Sequence, residues 1–193
     1  MKRKSNSFGS GAKTLILIDV QRDFLPGGPL AVPGGDQIIG VINSILPLFG
    51  HVIATQDWHP PHHISFSEWP EHCVQNTKGA ELAPALNQKP IEKIFRKGVD
   101  LHVDSYSAFF DNERLHASGL EKYLKKNQLQ TLYFAGLASD YCVLYSVLDA
   151  LALGFEVFVI QDACRAIGDE KKAFSEMRAK GAKLITSEKI KAS

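Results

Sequence analysis

The chain has 193 residues, 45% hydrophobic and 22% charged, which is ordinary for a globular domain with a sizeable core. Twenty-two basic side chains against twenty-one acidic ones leave a formal net charge of +1, so electrostatics make no case for nucleic acid or an anionic membrane as partner. No apolar run is long enough to cross a bilayer, and the three cysteines, Cys73, Cys142 and Cys164, lie far apart with no C-x-x-C pair, which argues against a disulfide framework and for a reducing, cytoplasmic setting.

Residues 1–11, basic at Lys2, Arg3 and Lys4 and then rich in Ser and Gly, read as a disordered leader ahead of one domain over 12–193. Thr14 to Val20 (TLILIDV) is an almost continuous apolar run, the pattern of a strand covered on both faces. Asp36 to Leu48 follows with Ile38, Ile39, Ile42, Ile45 and Leu46 at helical spacing. His51 to Thr55 is a second strand and Ile91 to Phe95 a weaker third. Between them, Trp58 to Lys89 is a long irregular stretch rich in Pro, His and Asn, and a loop of that length in a compact domain is usually functional. A helix is predicted over Leu115 to Lys126, a strand over Thr131 to Leu137, a helix over Asp140 to Leu153 and a strand over Phe155 to Ile160. A helix over Asp169 to Lys180, stopped by Gly181, and a last strand over Ala182 to Thr186 complete the chain. Strand–helix alternation throughout predicts a three-layer αβα fold with a mainly parallel six-stranded sheet.

In such sheets ligands bind beyond the carboxyl ends of the strands. The residues expected there are reactive: Asp19, Asp57 with His59, Lys97, and the segment Ala138 to Cys142. Ser139 or Asp140 is a candidate N-cap, which would put Cys142 in the first helical turn, where the dipole favours a thiolate and free N–H groups can hold an oxyanion. Taken alone, Cys142 reads equally as a small buried hydrophobe. Asp19, directly after apolar residues, could be a base for that thiol or a strand-end cap, and Lys97 could hold its carboxylate or lie in solvent. Asp57 and His59, at i and i+2 in extended chain, point to one face. With His72, and with His63 or Glu68 in reach by sequence, they make a donor set that suits a divalent transition metal. Five of the seven histidines fall between His51 and His72, which adds weight to that cluster.

Five stretches in this order resemble the nicotinamidase branch of the isochorismatase-like hydrolases: D-V-Q-R-D-F-L-P-G-G from Asp19, D-W-H-P-P-H-H-I-S-F from Asp57, W-P-E-H-C-V from Trp69, K-G-V-D-L-H-V-D-S-Y-S-A-F-F-D-N from Lys97 and G-L-A-S-D-Y-C-V from Gly136. The resemblance spans about Thr14 to the C-terminus. It implies a triad of Asp19, Lys97 and Cys142, and a metal held by Asp57, His59 and His72, with His63 at a position where family members vary. It also implies a nicotinamide pocket walled by Phe24, Trp69 and Tyr106, and a cis peptide before Ala138 that aims the N–H groups of Ala138 and Cys142 at an oxyanion. Ser139 stands where threonine is frequent and Tyr141 where histidine occurs, and neither is expected at a catalytic position. The implied activity is hydrolysis of nicotinamide to nicotinate and ammonia through a cysteine thioester, with pyrazinamide as a side substrate. The implied cofactor is one divalent ion per chain, zinc before iron or manganese. A homo-oligomer is compatible with this reading. A metal-free amidase or ureidohydrolase of the same superfamily and a non-catalytic metal- or thiol-sensing protein are the alternatives.

Overall fold

The structure, a computed structural model, describes residues 13–192; the leader expected over 1–11 lies outside the described residues. The strand β1 (Thr14–Ile18) shows why the chain folds in layers. Leu15 and Leu17 point to one side of the sheet and Ile16 and Ile18 to the other, and all four are fully buried. A strand that is apolar on both faces must be covered on both faces.

Five more strands join it: β2 (His51–Asp57), β3 (Ile91–Lys97), β4 (Thr131–Leu137), β5 (Glu156–Arg165) and β6 (Lys183–Ile185). All pairings are parallel, in the order β3-β2-β1-β4-β5-β6. One face carries α1 (Gln37–Ile45), through Ile38, Ile42 and Ile45, and α5 (Ser187–Lys191), through Ile190. The other face carries α2 (Leu120–Lys126), α3 (Cys142–Ala152) and α4 (Glu170–Ala179), through Leu120, Leu124, Val143, Val147, Phe174 and Met177. The predicted αβα architecture and its six parallel strands are therefore observed.

Several boundaries differ from the sequence reading, each for a local reason. Helix α2 starts at Leu120, not Leu115, because the Asp111 carboxylate captures the N–H groups of Leu115 and His116 and bends that stretch into a turn. Helix α3 starts at Cys142. Neither Ser139 nor Asp140 caps it: the carboxylate of Asp140 accepts the N–H groups of Ile167 and Gly168 instead. Strand β5 continues past Ile160 to Arg165, because Cys164 and Arg165 pair with Gly136 and Leu137 of β4. Helix α5 was not expected, and is anchored by Asp162, which accepts from both the N–H and the hydroxyl of Ser187.

Candidate active site

The strand order reverses between β1 and β4, so the crevice at their carboxyl ends is open to a ligand. Asp19 follows β1 at φ +48, and the segment Ala138 to Cys142 follows β4. Gly136 is required just before that segment. Its φ is +130, and a Cβ there would collide with the carbonyl of Ile18 on β1. The peptide between Leu137 and Ala138 is cis, as the resemblance implied. Ser139 N–H donates to the Arg165 carbonyl, and the N–H groups of Tyr141 and Val143 donate to the Ala138 carbonyl. Among the described residues, the N–H groups of Ala138 and Cys142 stay out of these loop bonds and remain available to an oxyanion.

Lys97, the last residue of β3, gathers the reactive groups. Its ammonium lies 2.9 Å from Asp19 Oδ2, 2.5 Å from Asp57 Oδ1, 3.3 Å from Cys142 Sγ and 2.8 Å from the Ser105 carbonyl, and it is buried with all three side chains. Burial alone would depress Lys97, but the Asp19 and Asp57 carboxylates outweigh it and hold the ammonium well above its ordinary range. The Cys142 thiol moves the other way from expectation. Burial pushes it well above the usual value of 9.0, Lys97 opposes, and the charges of Asp19 and Asp57 add to the rise. Burial of the sulfur therefore works against the thiolate that the helix position favours, in keeping with a thiol whose proton passes to a base. A thiol needs a base, and Asp19 is in place: a carboxylate oxygen from each of Asp19 and Asp57 and the sulfur of Cys142 all lie within 4.8 Å of one another.

The imidazoles sort by what each Nδ1 does. His59 Nδ1 bonds the Gly98 carbonyl at 2.9 Å and His72 Nδ1 bonds the Pro70 carbonyl at 2.7 Å. A carbonyl only accepts, so both rings carry their proton on Nδ1 and present a bare Nε2. Burial, helped by His63 and His72, lowers the pKa of His59 to about 3, which keeps it a neutral ligand. One ligand atom each from Asp57, His59 and His72 lies within 4.8 Å of the others. These two nitrogens and one carboxylate fit a divalent transition metal. Gly98 makes this possible, because at φ +61 its missing Cβ leaves room for the His59 ring. His63 is different. Its Nδ1 accepts the Ser65 N–H at 3.3 Å and bonds the Ser65 hydroxyl at 2.7 Å, so the proton sits on Nε2, buried and without a partner. To act as a ligand, His63 would have to give up that tautomer. Its ring stacks on His59 with centroids 4.1 Å apart.

One cavity joins the Asp57, His59 and His72 cluster to Cys142. Phe24, Trp69 and Tyr106 line it as expected, together with Asp57, His59, His72, Ala138 and Cys142. Trp69 Nε1 donates to the Tyr106 hydroxyl at 3.2 Å. Leu30, Asp104, Tyr141 and Ile167 also line it. Sequence reasoning missed these four. Tyr141, adjacent to Cys142, could have been found from its position, whereas Leu30 and Ile167 have no sequence signal. Asp57 has a second role that its D-x-H motif does not reveal, since it pairs with Lys97 through one oxygen and faces His59 through the other, at 3.8 Å from Nε2. A larger cavity of about 300 Å³ beside Val99, Phe110 and His116 is bordered by Lys97 but by neither Asp19 nor Cys142.

Comparison with known proteins points the same way. Residues 13–189 match the Isochorismatase domain family. A nicotinamidase of Escherichia coli (strain K12) is 44% identical, covering 90% of this chain and 94% of its own. A structure from L. infantum in complex with nicotinate superposes with a TM-score of 0.89 at 36% identity, covering 93% of this chain and 95% of that one. A pyrazinamidase of Pyrococcus horikoshii in complex with zinc gives 0.81 at 40% identity, covering 91% and 99%.

Proposed function

The chain belongs to the isochorismatase-domain family, in its nicotinamidase branch, and on that premise we propose that it hydrolyses nicotinamide to nicotinate and ammonia, with pyrazinamide as a further substrate. The observation that carries this reading is the convergence of Asp19 and Lys97 with Cys142, which itself lines a cavity shared with two imidazoles and aromatic rings. Asp57, His59 and His72 would hold one divalent ion; the donor set suits zinc, iron or manganese, and zinc is preferred because the similar Pyrococcus horikoshii structure is in complex with it. Such an ion, when bound, supplies a Lewis-acidic partner for the pyridine nitrogen and so orients the ring.

The chain's own residues do the covalent chemistry. Phe24 and Trp69 flank the ring and Tyr106 closes the wall. Asp19 takes the proton of Cys142, and the sulfur attacks the amide carbon. The N–H groups of Ala138 and Cys142 hold the tetrahedral oxyanion. Asp19 returns the proton to the amide nitrogen, the C–N bond breaks, ammonia leaves and a thioester remains on Cys142. Water, deprotonated by Asp19, then cleaves the thioester and nicotinate departs. Burial raises the pKa of Asp19, which suits a group that must take a proton, while Lys97 opposes that rise and steadies the sulfur as its charge develops. A nucleophile that must stay reduced suits the cytoplasmic setting read from the cysteines.

The test is ammonia release from nicotinamide, pyrazinamide, benzamide and picolinamide by metal-loaded protein. Nicotinamide and pyrazinamide are expected to turn over. Benzamide lacks the ring nitrogen, and picolinamide carries it beside the carboxamide, so both are expected to be poor. Equal rates on benzamide and nicotinamide would refute the metal-held ring. No ammonia from nicotinamide would refute the activity, and full activity of metal-free protein would move the chain to the metal-free amidases.

A further inference from the structure

In the sequence, Thr55 is only the last residue of an expected strand. In the fold, the register that pairs Leu17 with Ala54 brings Thr55 beside the turn at Asp19. Both side chains are fully buried, at 0% exposure. Thr55 Oγ1 donates to Asp19 Oδ1 at 2.6 Å and accepts the Asp19 N–H at 3.2 Å. A hydroxyl has a single proton, so this pair of bonds settles which carboxylate oxygen is occupied. The other oxygen, Oδ2, lies 2.9 Å from the Lys97 ammonium but makes no hydrogen bond of good geometry, and it is buried. It is the oxygen with a lone pair to spare.

We propose that Thr55 is a positioning residue for the proton transfer, its hydroxyl holding Asp19 in the rotamer that presents Oδ2 to the thiol of Cys142. The inference rests on Asp19 being the base. In the step concerned, the S–H bond of Cys142 breaks, an Oδ2–H bond forms, and the electron pair stays on sulfur. The Thr55 proton remains on its own oxygen, so the residue orients the base without exchanging a proton with it. The same hydroxyl satisfies the buried Asp19 N–H. Loss of the hydroxyl would free the carboxylate to rotate and leave that N–H without an acceptor.

The experiment compares Thr55→Val and Thr55→Ser with the unaltered protein in its metal-loaded form. Valine keeps the shape and removes the hydroxyl; serine restores it. Thr55→Val is expected to lower kcat by about tenfold or more, the effect of removing one hydrogen bond to a charged group. KM for nicotinamide and metal content should stay unchanged, because Thr55 touches neither. Alkylation of Cys142 by iodoacetamide at a fixed pH should slow in parallel, and Thr55→Ser should recover most of both rates. An unchanged kcat in folded Thr55→Val, a loss that serine does not restore, or a loss accompanied by metal release through neighbouring Asp57 would each overturn the proposal. If Thr55→Val does not fold, Thr55→Cys, whose thiol is a weak donor, is read by the same division between kcat and KM. Asp19→Asn is measured alongside. An active Asp19→Asn protein would remove the base assignment itself, whereas an inactive one beside a fully active Thr55→Val would remove only the role of Thr55.

Discussion

At Cys142 two opposing effects meet: Lys97 stabilises a thiolate, and burial penalises it more. Alkylation requires the thiolate, so its rate should keep climbing as pH rises past 9.0, the ordinary thiol value, and not level off below it. Lys97→Met removes the group that opposes the rise, so alkylation at any one pH should be slower still; an unchanged rate would separate Lys97 from the site. Cys142→Ala should abolish thioester formation, trapped by acid quench and mass spectrometry. Cys73→Ala and Cys164→Ala should leave turnover largely intact, because burial holds both thiols protonated, Cys164 pushed up to about 12. Asp19→Asn keeps the shape of the base but cannot take the proton, and kcat should fall by about a hundredfold or more.

Among the elements, the long segment between β2 and β3 carries part of the candidate metal site. It sends His72 back to Asp57 and His59 at the end of β2, and His59 N–H donates to the Cys73 carbonyl at 3.0 Å. A metal held by these residues would tie the loop to the sheet. Chelation should therefore lower the melting temperature and speed proteolysis within the loop, since a ligand at a hundred times its Kd adds about 2.7 kcal/mol of stability. His72→Ala should show neither response. At the neighbouring strand end, Gly98→Ala places a methyl against the His59 ring. Metal affinity, read by chelator competition, should drop by about tenfold or more, the usual cost of disturbing what supports a ligand.

Across the whole molecule, stability and chemistry share β1. Its four apolar residues fill both interior layers, and Asp19 continues directly from them. Ile16→Ala should destabilise the fold by about 2–5 kcal/mol, measured from the urea midpoint, because a fully buried branched side chain leaves a cavity. Protein that still folds should retain its KM, since Ile16 faces the α2–α3–α4 layer and not the pocket.

The αβα order was legible in the sequence because strands covered on both faces must be apolar throughout, as TLILI is, and because helices between them keep a single apolar stripe. Asp19, Lys97, Asp57 and His59 could be placed because residues at the carboxyl ends of parallel strands share one edge. Cys142 could be placed by its strand-to-helix turn, and its partners were supplied by motif order. The start of α2 was not legible, since a side chain, Asp111, took the backbone bonds that the helix needed. Thr55, the double pairing of Asp57 and the tautomer of His59 were not legible either. Each depends on which atom of a distant residue lies within hydrogen-bonding reach, and only the packed sheet brings β1, β2 and β3 close enough to decide it. The protonation of Cys142 belongs to the same class. Residue type and helix position favour the thiolate, and the burial that reverses the balance arises only when both layers close over the strand ends.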